Sequence, residues 1–437
     1  MSSVKTKLLK NIKLKSIREY TGYRNLVSWI RLVSITSTAQ IFVQGVGFIS
    51  GILIIRLLEV EEYALYTLAN TMLGTMCLLA DGGISAGVMS QGGRVWQDKE
   101  KLGQILATGL ELRKKFAVGS LIVCIPILIY LLRSHDASWL MVTLISLSLI
   151  PAFISQLSDT ILGIPPKLHQ AIPELQKNQV MVGFGRLVLT AGFIFIFPFT
   201  FLALLANGLP RIYGNIKLKQ ISAPYVNIHA EPDAEVRIKI FKTVKRMMPG
   251  AIYYCISGQI TIWLISIFGS TEALAELGAL GRLAMLLTLV NSLLSILVVP
   301  RFARLMKDRV NLTKTYILIL SGVTVLMFVL VFLVYLFPEQ ILWVLGKGYK
   351  GLQIELLLAI LGSALSLIAG VSFSLNVSRD WVMNPIFSIA ISITSIIIGV
   401  ILFDISTLKG VLIYNIFLAV IQMLLNGGYS FLKLNRI

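Results

Sequence analysis

The chain has 437 residues, of which 56% are hydrophobic and only 14% are charged, and its mean hydropathy is +0.83. A soluble protein of this length needs more charged surface, so this composition excludes the soluble globular class and indicates a membrane protein. The net charge of +18 would indicate nucleic-acid binding in a soluble chain. In a membrane protein the same excess is typical of cytoplasmic loops, so we expect no nucleic acid as a partner.

Twelve apolar stretches, each long enough to cross about 30 Å of hydrocarbon, follow one another along the chain. They predict an all-α polytopic membrane protein with twelve transmembrane helices. The predicted spans are 32–55, 62–91, 114–133, 138–161, 176–197, 199–216, 239–268, 273–300, 313–337, 351–378, 382–403 and 408–431.

Basic residues are concentrated on one side of these spans. Of the 39 Lys and Arg residues, 32 lie before the first span, after the last span or in every second connection. Five lie in the other connections, where each connection is counted with its flanking turns, and only Arg186 and Arg282 lie deeper inside spans. Because positive charge resists translocation, this pattern predicts a protein of the cell inner membrane with both termini in the cytoplasm.

The spans and the basic connections divide the chain into four predicted segments. The first is rich in Lys and Arg with apolar residues between them, which is typical of an amphipathic helix on a membrane surface. Two six-helix lobes follow, joined by the longest hydrophilic connection. The segments are 1–31 (basic amphipathic segment), 32–216 (N-lobe, helices 1–6), 217–236 (cytoplasmic linker) and 237–437 (C-lobe, helices 7–12).

The two lobes have related sequences at corresponding places. The second span opens with EYALYTLA from Glu62, and the eighth opens with ELGALGRL from Glu276. Each follows a long apolar span and a short acidic connection. An even number of spans in each half predicts parallel repeats, related by an axis along the membrane normal.

Three short motifs resemble a known family. RLLEVEEYALY from Arg56 resembles the signature at the start of the second helix in polysaccharide-type flippases. LLADGGIS from Leu78 resembles that family's LLADLGLS and departs from it at Gly83. PRFAR from Pro300 resembles the family's stretch after helix eight. These flippases are the O-antigen and exopolysaccharide translocases of the multidrug/oligosaccharidyl-lipid/polysaccharide exporter superfamily.

The resemblance implies two six-helix lobes in a V around a central cavity. It also implies that the chain is a flippase for a polyprenyl-pyrophosphate-linked oligosaccharide, which it moves from the cytoplasmic to the outer leaflet for surface polysaccharide synthesis. The expected partners are that lipid-linked substrate, membrane lipids and the polysaccharide polymerase machinery. We expect no enzymatic activity and no cofactor.

Two arginines inside spans are the first candidate substrate-binding residues. Arg186 lies near the centre of the fifth span, and Arg282 lies about two turns into the eighth. An arginine at that depth costs roughly 2.5–3.5 kcal/mol, so each is expected to face a polar cavity or a partner. Their guanidinium groups suit a diphosphate. The alternative for Arg186 is an ion pair with Asp81 or Asp159. The alternatives for Arg282 are an ion pair with Glu276 or Glu272, or a side chain that extends outward to the membrane surface.

Three basic residues at the start of the seventh span are further candidates for substrate binding. Lys239, Lys242 and Arg246 repeat at i, i+3 and i+7, so they form one stripe on a helix. The stripe is either an electrostatic entry for an anionic head group or an anchor on anionic lipid.

Two carboxylates inside spans are the candidates for ion coupling. Asp81 and Asp159 are placed to bind a proton or an ion in a transporter. The alternative roles for Asp81 are to break its helix together with Gly82 and Gly83, or to neutralise Arg186. The cysteine and histidine residues have no spacing that is typical of a metal site.

Two other functions compete with the flippase. A cation-coupled drug or small-metabolite antiporter of the same fold is the main alternative, although its cavity would be expected to be acidic or apolar. A membrane polymerase or ligase would need a large outward loop with reactive residues. The predicted outward connections are all short, so an enzyme is not expected.

Overall fold

A computed structural model describes residues 38, 39, 41–299, 302, 305, 308–379, 381 and 383–435. The described secondary structure is entirely helical, with two single 3-10 turns at Ala223–Tyr225 and Lys347–Tyr349. The α-helices are α1 Ile41–Leu57, α2 Val60–Asp81, α3 Ile84–Gly92, α4 Lys99–Ser134, α5 Trp139–Leu162, α6 Ile164–Leu168, α7 Ile172–Ile196, α8 Thr200–Ser222, α9 Ala234–Phe268, α10 Thr271–Ala284, α11 Leu287–Leu297, α12 Arg309–Leu336, α13 Pro338–Leu345, α14 Gln353–Ser378, α15 Pro385–Leu402 and α16 Leu408–Leu434.

The predicted spans correspond in order to these helices. Seven described helices, with α5 and α6 taken as one, are long and apolar enough to cross a membrane, and the bent pair α10–α11 makes an eighth. The other predicted spans correspond to α1, α8, α9 and α15, which are shorter in their apolar part or more polar. The expectation of an all-α fold is confirmed. The predicted segment 1–31 and most of the motif from Pro300 lie outside the described residues.

Short polar side chains determine where several helices begin. The Asp98 carboxylate accepts hydrogen bonds from the backbone nitrogens of Glu100 and Lys101, both at 3.1 Å, and so starts α4 at Lys99. Ser138, Asp233 and Ser270 cap later helices in the same way. The predicted third span, 114–133, therefore begins too late, because the cap lies upstream of the apolar run.

Two predicted spans are broken rather than continuous. Gly82 and Gly83 have φ angles of 48° and 95°, a left-handed conformation that favours glycine, and they separate α2 from α3. The eighth span bends by 40° between α10 and α11. The alternative in which Asp81 precedes a helix break at these glycines agrees with the structure.

The predicted linker is shorter in the structure than in the sequence. Helix α8 continues to Ser222 and α9 begins at Ala234, so the non-helical stretch is 226–233. The boundaries of the four predicted segments otherwise stay predictions. Helix α13, between α12 and α14, was not predicted.

The helix bundle has two ends with different connections. The short-loop end carries the connections α1–α2, α4–α5, α7–α8, α9–α10 and α15–α16, together with α13. The basic end carries the remaining connections, including the stretch 226–233, and the carboxyl end of α16. The positive charge of its loops predicts that the basic end faces the cytoplasm.

Each half of the chain has its own packing. In the first half α2 packs on α4 and α5, and α8 packs on α5 and α7. Gly214 allows the close approach of α8 to α7, because an added Cβ there would overlap the side chain of Val182. In the second half α14 packs on α16, α12 and α11, while α15 packs on α16.

The halves touch at the short-loop end. Helix α2 packs against α10, and a Cβ added to Gly278 would lie only 2.5 Å from Thr67 Oγ1. The ring nitrogens of His135, at the end of α4, lie 2.8 Å from Thr271 Oγ1 and 3.0 Å from Ser266 Oγ. Arg56, at the end of α1, donates from Nε to the carbonyl of Val344 at 2.8 Å.

Helix α9 joins the halves at the basic end. Its first turns pack on α3 and α4, with Ile240 and Val244 fully buried. The Asp233 backbone nitrogen donates to Thr108 Oγ1 at 2.9 Å, and Arg237 pairs with Glu111 at 2.7 Å. The later turns of α9 contact α10 and α16. This helix therefore begins on the first half and ends in the second.

The orientation of the two ends can be tested by cysteine labelling. In a chain with Cys77, Cys124 and Cys255 replaced by alanine, single cysteines would be placed at exposed positions of each end. An impermeant maleimide added to whole cells should label the short-loop positions and miss the basic ones. Labelling of the basic set from outside would contradict the predicted orientation. The short-loop positions are Glu59, Asp136 and Ser406, and the basic positions are Gln97, Glu231 and Asp308.

The contact made by His135 predicts a pH dependence of stability. Burial lowers the pKa of His135 below its ordinary value, and the charge of Asp136 only partly opposes this. Because the folded protein then binds the proton less tightly than the unfolded chain does, the contribution is present above about pH 6.5 and is lost as the pH falls.

We therefore expect the thermal midpoint to fall more between pH 7 and pH 5 for the natural chain than for His135→Gln. All other titrating groups are shared by the two proteins, so the difference isolates His135. Equal falls would show that this residue does not contribute.

Candidate functional site

Arg186 lies deep inside the bundle. It is ten residues before the end of α7 at the short-loop end, a depth of about 15 Å at 1.5 Å per residue. Its Nη1 lies 3.4 Å from Asn207 Oδ1, and its buried Nε has no hydrogen-bond partner among the described residues. A Cβ added to Gly47 of α1 would lie 2.8 Å from Arg186 Nη2, so glycine makes room for the guanidinium group.

Arg282 reaches the same region from the second half of the chain. Its guanidinium carbon lies 5.9 Å from the ring centroid of Tyr66, and the group interacts electrostatically with Tyr63 and Tyr66. Both tyrosines are fully buried, and their rings stack with centroids 6.0 Å apart. Gly51 of α1 lies against the Arg282 side chain, since a Cβ added to Gly51 would lie 3.3 Å from Arg282 Cδ.

One chain of polar contacts joins the two arginines. Asn207 accepts from Arg186 and donates from Nδ2 to the Tyr66 hydroxyl at 3.1 Å, and Tyr66 in turn contacts Arg282. We call Arg186, Asn207, Tyr66 and Arg282 the arginine bridge. It draws on α7, α8 and α2 of the first half and on α10 of the second.

The arginine bridge contains cations and neutral groups only. Within the described part of the chain, no carboxylate lies in ion-pairing distance of Arg186 or Arg282. Asp81 pairs with a different arginine, so the ion-pair alternatives for Arg186 and Arg282 are wrong. The structure does bring these two predicted residues together.

Asp81 belongs to a separate cluster nearer the basic end. Its Oδ1 lies 3.2 Å from Arg113 Nη1 and accepts a hydrogen bond from Ser85 Oγ at 2.5 Å. Arg113 also donates to Ser85 at 3.0 Å and to Thr160. Only 4% of the Arg113 side chain is exposed. The sequence places Arg113 in a basic connection, which is wrong because α4 starts upstream of it.

Asp159 has neutral hydrogen-bond partners. Its Oδ1 accepts from Asn215 Nδ2 at 2.7 Å, and the same nitrogen lies 2.6 Å from Ser158 Oγ. Arg211, one turn earlier on α8, acts electrostatically on both Asp159 and Arg186. The sequence counts Arg211 with the basic residues that flank the sixth connection, and the structure places it in the middle of α8.

Four arginines from the two halves therefore lie near enough to share electrostatic neighbours, and we call them the arginine track. They are Arg282 of the second half and Arg186, Arg211 and Arg113 of the first. The sequence signal that could have identified the last of these is the Asp98 cap, which places Arg113 four turns into a helix.

The basic stripe lies elsewhere. Lys239, Lys242 and Arg246 are exposed on α9, and Lys239 pairs loosely with Glu235 at 3.5 Å. The structure does not bring the stripe to the arginine bridge. The opposite face of α9 carries the buried residues that pack on α3 and α4.

The chemistry of the arginine bridge suits an anion. Guanidinium groups offer several donors in a planar fork, and the cost of burying them falls when an anionic group binds. The described residues contain no group of three His, Cys, Asp or Glu side chains that could hold a metal ion. The bridge also spans the contact between the two halves, so relative motion of the halves would change its geometry.

The fold matches solved structures over almost its whole length. An inward-facing multidrug resistance MATE family transporter of the MOP superfamily is 18% identical, with a TM-score of 0.64, over 92% of this chain and 98% of the other. An outward-facing structure of a multidrug resistance MATE family transporter is 16% identical, with a TM-score of 0.57, over 93% and 95%. No protein-family model and no curated protein matches the sequence.

A third similar structure differs from these two in the polarity that is described for its binding pocket. A MOP superfamily transporter from Pyrococcus furiosus is 17% identical, with a TM-score of 0.52, over 92% of this chain and 96% of the other. Its description states that reverse polarity of the binding pocket suggests a different function.

These likenesses show the twelve-helix fold of MATE transporters, and they confirm the predicted fold class of two six-helix lobes around a central cavity. The chain is a polytopic membrane protein with a fold of the superfamily that the sequence motifs indicated. The two neighbours are described as transporters.

We expect that breaking the pair of Asp81 and Arg113 lowers the stability of the fold, and that a second substitution restores it. Arg113→Met leaves the Asp81 carboxylate, of which 28% is exposed, without its cation. The cost should be about 1–3 kcal/mol, less than for a fully buried pair. Adding Asp81→Asn removes that charge and should recover most of the thermal midpoint in detergent.

Lys115→Met is the matched control, because it breaks only the exposed pair with Glu111 and should cost less than about 1 kcal/mol. If Arg113→Met melts at the same temperature as this control, the pair does not stabilise the fold.

Proposed function

We propose that the chain is an alternating-access membrane transporter whose substrate carries an anionic group. We further propose that the substrate is a polyprenyl-pyrophosphate-linked oligosaccharide, moved from the cytoplasmic to the outer leaflet for surface polysaccharide synthesis. The observation that carries this proposal is the arginine bridge, in which Arg186 and Arg282 converge on Tyr66 from opposite halves without a carboxylate.

The position of the bridge suits transport across the bilayer. A group bound at about 15 Å from the short-loop end lies near the middle of a hydrocarbon core of about 30 Å. A diphosphate there would contact Arg186 on the first half and Arg282 on the second. Separation of the halves at one end or the other would then expose the same site to one leaflet at a time.

The remaining arginines would extend this path. Arg211 and Arg113 continue the positive charge towards the basic end, which is the end predicted to face the cytoplasm. An anionic head group that enters from that side would therefore meet cations in sequence. The proposed localisation is the inner membrane with cytoplasmic termini, and the proposed partners are membrane lipids and the polysaccharide polymerase machinery.

A second candidate is a cation-coupled drug or small-metabolite antiporter. The comparisons favour this candidate, since two of the neighbours described above are named as multidrug resistance transporters. Asp81 and Asp159 are carboxylates that could bind the coupling proton or ion. Asp159 is the stronger of the two, because its hydrogen-bond partners are neutral, whereas Asp81 is paired with Arg113.

The charge balance of the interior supports the first candidate. A cavity for cationic drugs is expected to offer free carboxylates or apolar surface, but the arginine track has four cations for two carboxylates. The Pyrococcus furiosus neighbour is described as having a pocket of reverse polarity. Pocket polarity therefore varies within this fold, and fold alone does not select the substrate.

Substitution of Arg186 tests the proposed function. Arg186→Lys keeps the charge and should retain partial glycan export, whereas Arg186→Ala and Arg186→Glu should lose at least about tenfold, since a hydrogen bond to a charged group contributes roughly 1.5–3 kcal/mol. Export would be measured in cells that depend on the chain and normalised to the amount of protein in the membrane.

Arg133→Ala is the control, because Arg133 lies at the short-loop end against Trp139 and should leave export unchanged. The same cells would be tested for sensitivity to a cationic dye. Normal export by Arg186→Ala would reject the role of the arginine bridge. Normal glycan export by cells that lack the chain, together with increased sensitivity of those cells to the dye, would reject the flippase and favour the antiporter.

A further inference from the structure

A cavity with a mixed apolar and polar lining lies within the second half of the chain. Its volume is about 840 Å³, and it is bounded by α9, α10, α14, α15 and α16. This volume is within the usual range of roughly 300–1,000 Å³ for small-molecule sites. The cavity contains no residue of the arginine track.

The side chains that line this cavity are neutral. None of the described lining residues carries a charge, and many carry a hydroxyl or an amide. Thr261 donates to Asn415 Oδ1 at 2.7 Å, and Gln422 donates to Ser392 Oγ at 2.8 Å. These bonds orient the two amides, and they leave Asn415 Nδ2 and Gln422 Oε1 without partners within the described part of the chain.

The oriented amides offer complementary groups to a ligand. Asn415 Nδ2 is a donor and Gln422 Oε1 is an acceptor, and they lie about 10 Å apart along α16. They therefore suit two different hydroxyls of an extended ligand, since a hydroxyl can both accept and donate. Aromatic rings at the cavity wall, among them Trp381 and Tyr253, provide flat apolar surfaces. A sugar ring has hydroxyls around its rim and apolar CH groups on its faces, so it matches these amides and aromatic rings. A cationic drug would find no carboxylate among the described lining residues.

The basic stripe leads to this cavity along α9. With 3.6 residues per turn, positions 239, 242 and 246 lie on the same side of the helix as the cavity-lining residues Tyr253 and Ser257. An anionic head group on the stripe would therefore have its attached neutral portion directed towards the cavity.

We infer that this cavity, which we call the neutral cavity, binds the neutral, polyhydroxylated sugar portion of the transported substrate. The inference rests on the proposed function and deepens it, because it separates the substrate into two parts. The diphosphate binds the arginine bridge between the halves, and the sugars bind uncharged groups within the second half. Each part of the substrate is then recognised by matched chemistry.

The test uses the full-length chain in detergent and free neutral trisaccharides of several linkages, which carry neither lipid nor phosphate. Binding would be followed by the fluorescence of Trp381, with Trp381→Phe to identify its contribution. We expect saturable binding of at least one trisaccharide. Gln422→Leu should weaken it at least tenfold, and Ser366→Phe, which fills the cavity from α14, should abolish it.

Gln353→Leu is the matched control, since it makes the same change at an exposed position of the short-loop end and should bind normally. A melting curve for each variant excludes misfolding as the cause of lost binding. Absence of binding by every trisaccharide would overturn the inference. So would tetraphenylphosphonium binding that Ser366→Phe abolishes, because the cavity would then accept an organic cation.

Arg186→Ala separates this inference from the proposed function. It should lose glycan export and still bind the free trisaccharide, because the neutral cavity does not include Arg186. Sugar binding with normal export by Arg186→Ala would reject only the role of the arginine bridge. Lost export without sugar binding in any variant would reject only the neutral cavity.

Discussion

The cost of placing charge in an apolar solvent controls the interior of this bundle. Each arginine inside the membrane-spanning region must find groups that replace water. Arg113 finds the carboxylate of Asp81 and two hydroxyls, which neutralise its charge. Arg186 and Arg282 find only an amide and tyrosine hydroxyls. Because these groups do not neutralise the two arginines, the region between the halves stays positively charged. The proposed anionic substrate is the group that would neutralise it.

Local backbone features make that arrangement sterically possible. Gly47 and Gly51 leave space on α1 for the two guanidinium groups, and the glycine pair after Asp81 ends α2 beside Arg113. Helix α9 has a comparable dual role. Its first turns pack on the first half, while one face of its later turns lines the neutral cavity of the second half. A movement of α9 would therefore change the basic end and the neutral cavity together.

The two polar regions use different chemistry in different places. The arginine track is charged and lies against the contact between the halves, whereas the neutral cavity is uncharged and enclosed by helices of one half. A lipid-linked glycan has the same division, with a charged diphosphate and neutral sugars. The fold is shared with multidrug transporters, so the fold does not choose between substrates. That choice depends on which side chains the helices bring into the interior.

The sequence by itself determined the membrane class, the all-helical architecture and the order of the spans, and it singled out Arg186 and Arg282 as candidates. These properties depend on the length of apolar runs and on charges that interrupt them, and both can be read along one chain. Only the tertiary structure decided the partners. The sequence could offer Asp81 to Arg186, but the pairing with Arg113 required knowing that α4 starts at the Asp98 cap and lies beside α2. Arg211 and the amides of the neutral cavity were missed for a related reason. A polar residue near the end of a span, or a few polar residues within one, does not produce a periodic pattern that marks a site. Their surroundings are set by contacts between helices far apart in the sequence.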